Sequence, residues 1–131
     1  MLMPKSICFT IDVEPDFGIN DTAQYHGIRN LAKLEVVVRK YQLRITAFVT
    51  GKTLEDSPEV LDYLKSMRAE IEQHSYSHDV DEHRRSRIKD IEKGIETHET
   101  ILGKTPLGYR APQGIITKEE ALFLRENGVI A

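Results

Sequence analysis

The sequence predicts an α/β fold with a parallel β-sheet, and two observations support this prediction. Short runs rich in β-branched and aromatic residues alternate with longer stretches whose apolar residues recur at helical spacing. Polar clusters directly follow three of the predicted strands, at the end where α/β folds place their functional residues. The chain has 131 residues, so we expect a single domain covering 1–131.

The first half of the chain contains two predicted strands and two predicted helices. Residues 6–13 (SICFTIDV) form the first predicted strand, and residues 30–41 form a helix with apolar side chains at helical spacing. Residues 43–49 form the second strand, which the polar residues 50–52 end. The Ser-Pro pair at 57–58 predicts a helix start, because a hydroxyl group caps the first turn and proline fits there.

The second half continues the same alternation of strands and helices. Residues 69–74 form a predicted third strand, and apolar residues three and four apart predict a long helix over about 81–102. Residues 107–111 form a fourth strand, and a capping box at 117–120 begins the last helix. Residues 129–131 look like the first residues of a fifth strand.

Composition and charge narrow the classes of function. The net charge is −3 and the hydrophobic fraction is 40%, which is typical of a soluble globular protein. A nucleic-acid partner is not expected, because the chain lacks the strong basic excess of such proteins. We expect no membrane partner and a cytoplasmic location, because no long apolar stretch follows the N-terminus.

Several side chains are assigned structural roles at this point. Cys8, the only cysteine, is expected to be a small buried core residue. The basic run 84–87, followed by Asp90 and Glu92, is interpreted as a solvated helix face. His98 is in phase with the isoleucines of its helix and is expected to have a satisfied ring. The other two histidines assigned in this way are His26 and His83.

The first candidate site is a pair of histidines, His74 and His78, which follow the third predicted strand. Imidazoles four residues apart can bind one metal ion and leave room for a carboxylate ligand. The alternative is a chance pair on a surface helix. The position of the pair directly after a strand favours a metal site.

Two further clusters supply carboxylates and a cation. Asp12, Glu14 and Asp16 lie at the carboxyl end of the first strand, and a divalent metal would offset the cost of burying them together. The alternative is an exposed acidic loop. Arg110 follows the fourth strand and could hold a carboxylate in a fixed orientation for proton transfer. The alternative there is a surface arginine in a Pro/Gly turn.

Together, these clusters resemble the three N-terminal motifs of the polysaccharide deacetylase family, also called carbohydrate esterase family 4 or the NodB-homology domain. Residues 10–14 (TIDVE) are similar to the first motif in its Asp-x-Glu or Asp-x-Asp form. Residues 74–78 (HSYSH) match the His-(Ser/Thr)-x-x-His motif, and residues 109–114 (YRAPQG) match Arg-x-Pro-x-Gly. The resemblance covers nearly the whole chain but only the N-terminal portion of a typical family domain.

The resemblance implies a partial, distorted (β/α) barrel with about four parallel strands and flanking helices. It also implies metal-dependent removal of acetyl groups from N- or O-acetylated sugars. His74 and His78 would bind the metal, usually zinc. The third ligand would be an acidic residue of the first motif, and we expect Glu14 rather than Asp16 because of the family's Asp-x-Asp spacing.

The resemblance also assigns catalytic roles. A metal-bound water would be the nucleophile, and Asp12 would be the general base that takes its proton. Arg110 would orient Asp12, and the backbone N–H of Gln113 would help to hold the oxyanion. The family's general acid is a later histidine, whereas no histidine follows His98 in this chain.

The sequence leaves two alternative functions open, and it also predicts a homodimer. The chain could hydrolyse a small non-peptide C–N amide, or it could be a metal- or sugar-binding remnant that works only in an assembly. Four strands with open edges are prone to associate, so we expect a homodimer in which the partner covers an edge.

Overall fold

The computed structural model describes residues 6–16, 25–78 and 87–130, and it confirms the predicted α/β class. Helices and strands alternate in the order β1 (Phe9–Val13), α1 (His26–Arg29), α2 (Leu31–Tyr41), β2 (Ile45–Val49), α3 (Gly51–Asp56), α4 (Val60–Ser66), β3 (Glu70–Gln73), α5 (Ile88–Leu102), a 3-10 turn (Pro112–Gly114) and α6 (Lys118–Glu126). The strands form a parallel sheet in the order β1-β2-β3. Within the described ranges, no helix is long and apolar enough to cross a membrane.

The main core lies on one face of the sheet and is centred on β2, the middle strand. Ile45, Ala47 and Val49 alternate along β2 and are at most 4% exposed. Helices α2, α3 and α4 supply the apolar side chains that pack on them, including Val38, Leu54, Val60 and Leu64. A second cluster joins α5 to α6 and contains Ile91, Ile95, Tyr109, Leu124 and Val129. These two cores hold the carboxyl ends of the strands in a fixed arrangement.

The predicted fourth strand is reduced to two isolated bridges, Gln73 with Tyr109 and Gly108 with Ile130. The side chain of Glu72 explains this difference. Its Oε2 accepts hydrogen bonds from the N–H groups of Leu107 and Gly108, both at 2.7 Å. A buried carboxylate therefore binds the amides that a longer strand ladder would use. The sheet of the described residues has three strands instead of about four.

Several predicted boundaries also shift. Residue Thr50 ends β2 as predicted, but it also caps a helix that the sequence did not predict, α3. Helix α4 begins at Val60, later than the predicted start at Ser57, and α5 is described from Ile88 onward. The prediction of a buried Cys8 is wrong, because strand pairing begins only at the next residue and the thiol is exposed.

The predicted capping box of α6 is confirmed, and it also binds an arginine. Thr117 Oγ1 accepts from the N–H of Glu120 at 3.1 Å, and Glu120 Oε2 accepts from the N–H of Thr117 at 2.8 Å. Arg87 donates its backbone N–H to Glu120 Oε1 at 2.8 Å, and its guanidinium also contacts the Ile115 carbonyl. Arg87 is thus not part of a solvated face, while residues 84–86 and His83 lie outside the described residues. Burial raises the pKa of Glu120, but Thr117 and Arg87 outweigh it and hold the pKa below its usual value.

The prediction of a satisfied ring at His98 is wrong. The ring is fully buried on α5, and neither of its nitrogens has a hydrogen-bond partner among the residues that the structure describes. Burial lowers the pKa of His98 to about 4, so the ring is neutral in the folded protein at pH 7.

Replacing this ring gives a testable effect on stability. The folded pKa lies below the unfolded value of about 6.5, so protonation favours the unfolded chain as the pH falls from 6.5 towards 4. We expect His98→Leu to remove a loss of roughly 2 to 3 kcal/mol between pH 7 and pH 4.5. It should also raise stability at pH 7 by about 1–3 kcal/mol, because no buried nitrogen is left unpaired.

Urea unfolding at both pH values measures these differences. His98→Gln is the matched control, because it removes the titrating group but keeps a buried polar side chain. It should flatten the pH dependence without the gain at pH 7. If the wild type and His98→Leu lost the same free energy of unfolding between pH 7 and pH 4.5, His98 would not be the titrating group.

Candidate metal centre

Three predicted ligands meet at the carboxyl edge of the sheet. Glu14 follows β1 and His74 follows β3, while His78 lies in the loop after His74. Parallel strands end at the same edge, so segments far apart in sequence come together there. One ligand atom from each of these residues lies within 4.8 Å of the others.

The carboxylate of Glu14 lies between the two imidazoles. Its Oε2 is 3.1 Å from His74 Nε2 and 2.9 Å from His78 Nε2. The rings are edge to face, with their centroids 5.0 Å apart. The His74 side chain is 2% exposed, that of His78 12% and that of Glu14 30%, so the cluster is buried at His74 and opens to solvent at Glu14. Two imidazoles and one carboxylate are a common ligand set for zinc in hydrolases.

The hydrogen bonds around His74 show that this cluster fits a cation. His74 Nδ1 is 2.7 Å from the carbonyl oxygen of Arg110, which can only accept, so Nδ1 carries the proton. When the ring is neutral, Nε2 presents a lone pair to Glu14 Oε2, a buried atom that accepts no hydrogen bond from residues 6–16, 25–78 or 87–130. Two electron-rich atoms facing each other at 3.1 Å would both be satisfied by a divalent metal.

The pKa of His78 is consistent with a ligand role. Burial is the largest influence and lowers the pKa, while the nearby Glu14 carboxylate raises it and His74 lowers it. The net effect is a pKa below the usual value. An imidazole must be neutral to bind a metal, so this environment keeps His78 ready to do so near pH 7.

Asp12 and Arg110 form an ion pair beside the cluster. Arg110 Nη1 donates to Asp12 Oδ1 at 2.7 Å, and Nη2 donates to Thr10 Oγ1 at 2.8 Å. The guanidinium also lies 4.2 Å from the centre of the Phe48 ring. The other oxygen of Asp12, Oδ2, is 4.0 Å from His74 Nε2. Arg110 thus fixes one carboxylate oxygen and leaves the other near the predicted ligands.

Asp16, the alternative third ligand, has other partners. Its carboxylate accepts from the backbone N–H groups of His26 at 2.7 Å and Gly27 at 3.0 Å, where α1 begins. The Gly27 N–H is the largest influence on the pKa of Asp16 and helps to hold it below its usual value. His26, assigned a structural role, also contacts Asp16 through Nδ1 at 3.1 Å. The geometry therefore favours Glu14 over Asp16 in the cluster.

Gln113 lies in the 3-10 turn that follows Arg110. It is exposed and has a left-handed backbone with φ 54°, which glycine adopts more readily than glutamine. Its neighbour Pro112 is buried and anchors the turn. Its predicted role in holding an oxyanion stays a prediction.

Asp90 is a residue of the site region that the sequence interpretation missed. Its carboxylate accepts from the N–H of Tyr76 at 3.0 Å, from the N–H of Ser77 at 3.1 Å and from Ser77 Oγ at 2.6 Å. It is therefore not on a solvated face, although Glu92, two residues further along α5, is exposed. The available signal was an acidic residue in the first turn of α5, which sequence alone assigns to helix stabilisation.

The family model described as Polysaccharide deacetylase matches residues 3–130. This chain belongs to the polysaccharide deacetylase family. Enzymes of this family are generally metal-dependent, and the cluster of Glu14, His74 and His78 lies within the matched residues. No curated protein matches the chain.

Solved structures of polysaccharide deacetylase relatives share the fold. A carbohydrate esterase family 4 pseudoenzyme from Bacillus anthracis gives a TM-score of 0.76 at 16% identity, over 94% of this chain and 41% of that one. A family 4 carbohydrate esterase from Streptomyces lividans, in complex with acetate, gives 0.71 at 18% identity, over 94% and 59%. The peptidoglycan deacetylase PdaC from Bacillus subtilis gives 0.69 at 25% identity, over 94% and 55%. This chain thus spans about half the length of these structures.

Proposed function

We propose that this chain is a metal-dependent hydrolase that removes acetyl groups from N- or O-acetylated sugars. One observation carries the proposal. Glu14 Oε2 lies within 3.1 Å of the Nε2 atoms of both His74 and His78, and Asp12 Oδ2 lies 4.0 Å from His74 Nε2. A ligand set and a free carboxylate oxygen at such close range are what a metal-assisted hydrolysis requires.

Glu14, His74 and His78 would hold the metal, which we propose to be zinc. The two imidazoles and one carboxylate suit zinc and leave a coordination position open for substrate or water. When bound, a divalent metal lowers the pKa of water and polarises the acyl carbonyl.

Asp12 would act as the general base through Oδ2. Its other oxygen accepts a hydrogen bond from Arg110 Nη1 at 2.7 Å, and this charge-assisted bond fixes the orientation of the carboxylate. The carbonyl oxygen of Arg110 also accepts a hydrogen bond from His74 Nδ1. One residue therefore orients both the base and a ligand. The N–H of Gln113 would donate to the developing oxyanion.

The leaving group distinguishes two kinds of substrate. An amine must be protonated as it leaves, and this step needs a general acid. A nitrophenolate leaves without protonation. The base and the metal ligands can therefore be tested with 4-nitrophenyl acetate, without a general acid.

We expect the chain to hydrolyse 4-nitrophenyl acetate faster with one equivalent of Zn²⁺ than after chelation. Acetate release from N-acetylglucosamine oligomers should be slower than ester hydrolysis. Zn²⁺ at the same concentration with His74→Ala is the control for catalysis by free metal. Equal rates with and without metal would contradict the proposed function.

A second candidate is a protein that binds metal and sugar without turnover. Its support is the fold similarity to a family pseudoenzyme. Saturable binding of metal and of an N-acetylglucosamine oligomer, with no metal-dependent ester hydrolysis, would favour this candidate over the enzyme.

We also propose that the chain forms a homodimer through its exposed sheet edges. Among the described strands, β1 pairs only with β2, and Phe9 at its start is 43% exposed, with Ile7 just before it 80% exposed. Ile130, in the bridge to Gly108, is 77% exposed. Unpaired edges with apolar side chains favour association.

Light scattering at micromolar concentration should therefore give twice the mass of one chain. A double substitution, Ile7→Lys with Phe9→Lys, should shift the mass towards the monomer, because charged side chains block edge pairing. The control Val36→Lys changes an exposed apolar residue of α2 and should leave the dimer intact. A monomeric wild type would contradict the proposal.

A further inference from the structure

The loop that carries His78 has an unusual backbone. Ser75 and His78 both have left-handed conformations, with φ 64° and 59°, which are uncommon for residues other than glycine. Ser75 Oγ accepts from the N–H of His78 at 3.0 Å, which closes the loop on itself. Such a conformation persists only where surrounding contacts hold it.

Asp90 supplies those contacts from outside the loop. Its carboxylate binds the N–H groups of Tyr76 and Ser77 and the hydroxyl group of Ser77, at distances of 2.6 to 3.1 Å. These residues lie between the two left-handed positions, Ser75 and His78. The side chain of one helical residue therefore fixes the middle of the loop that positions a predicted ligand.

A glycine in the next turn of α5 allows this approach. A Cβ atom at Gly94 would lie 2.6 Å from Gln73 Nε2 and 3.0 Å from the carbonyl carbon of Ser75. Any larger residue would push α5 away from the strand end and the loop. Gly94 therefore lets α5 pack closely enough for Asp90 to reach Tyr76 and Ser77.

We propose that Asp90 is a positioning residue for the metal centre, which holds His78 in the orientation that faces Glu14 and His74. This inference rests on the proposed function. Asp90 does not touch the predicted ligands through its carboxylate; it acts through the backbone of Tyr76 and Ser77. Outer residues that orient ligands typically change metal affinity by 10- to 100-fold when they are removed.

The test compares Asp90→Asn and Gly94→Ala with the wild type and with Glu92→Gln, which changes an exposed acid in the same part of α5. Zn²⁺ affinity is measured by calorimetry, and amide hydrogen exchange is measured on the metal-free proteins. We expect Asp90→Asn to weaken Zn²⁺ binding about 10- to 100-fold and to speed exchange at Tyr76 and Ser77 alone. Gly94→Ala should have the same direction of effect, and Glu92→Gln should have none.

Two outcomes would overturn the inference. One is Zn²⁺ affinity in Asp90→Asn equal to that of the wild type. The other is faster exchange throughout β3 and α5, which would indicate general destabilisation. If the wild type bound no Zn²⁺, the proposed function would be wrong. The rate of amide hydrogen exchange at Tyr76 and Ser77 in Asp90→Asn would still show whether Asp90 orders the loop.

Discussion

Asp12→Asn is expected to reduce metal-dependent hydrolysis of 4-nitrophenyl acetate about 10²- to 10⁴-fold while leaving Zn²⁺ affinity nearly unchanged. An amide oxygen cannot take a proton in the way a carboxylate does, but it can still accept the hydrogen bond from Arg110 Nη1. Asp12 lies outside the group of Glu14, His74 and His78, so its loss should not remove a ligand. Parallel rate and affinity measurements separate the two effects.

The matched control is Asp16→Asn, in the same acidic segment. Asp16 binds the N–H groups at the start of α1, so we expect it to affect stability more than hydrolysis or metal affinity. If Asp16→Asn lost the metal and Glu14→Gln kept it, Asp16 would be the third ligand. The proposed ligand set of Glu14, His74 and His78 would then be wrong. Unchanged hydrolysis in Asp12→Asn would exclude Asp12 as the base.

His74→Ala is expected to abolish stoichiometric metal binding. It removes one of the three predicted ligands and also the link from Nδ1 to the carbonyl oxygen of Arg110. Two remaining ligands on separate segments bind zinc weakly, because structural and catalytic zinc sites use at least three protein ligands. Metal content after dialysis, measured by atomic emission, should fall from one equivalent to near zero.

His26→Ala is the control for this substitution. His26 is exposed and pairs with Asp16, away from the cluster, so metal content should stay close to one equivalent. Circular dichroism checks that His74→Ala is folded, since His74 is buried and its loss leaves a cavity. A folded His74→Ala variant with full metal content would contradict the assignment of the ligand.

The residues of the centre could be predicted because their signal is local. His74 and His78 have a fixed spacing, and each polar cluster directly follows a strand or a strand-like segment. The partners of Asp16 could not be predicted from the sequence, because they depend on where α1 begins and which N–H groups it leaves for a carboxylate. Spacing within the first motif favoured Glu14, and the distances agree with it.

Other features depend on contacts between distant segments, which sequence patterns do not report. The fourth strand is shortened because Glu72 binds amides 35 and 36 residues away. Arg87 and Asp90 looked like solvated charges, but a buried glutamate of α6 and the loop after β3 bind them. Helical periodicity placed His98 on the apolar face correctly and could not reveal that its nitrogens lack partners.

We expect Glu14, His74 and His78 to form one metal site, and a Co²⁺ titration tests this arrangement of ligands. Visible absorption of Co²⁺ reports its coordination, so binding can be followed without any enzymatic activity. We expect saturation at one Co²⁺ per chain with an absorption spectrum typical of a low coordination number, displacement of Co²⁺ by Zn²⁺, and loss of the signal in Glu14→Gln and His78→Ala. Absence of saturable binding in the wild type, or an unchanged spectrum in both variants, would contradict it.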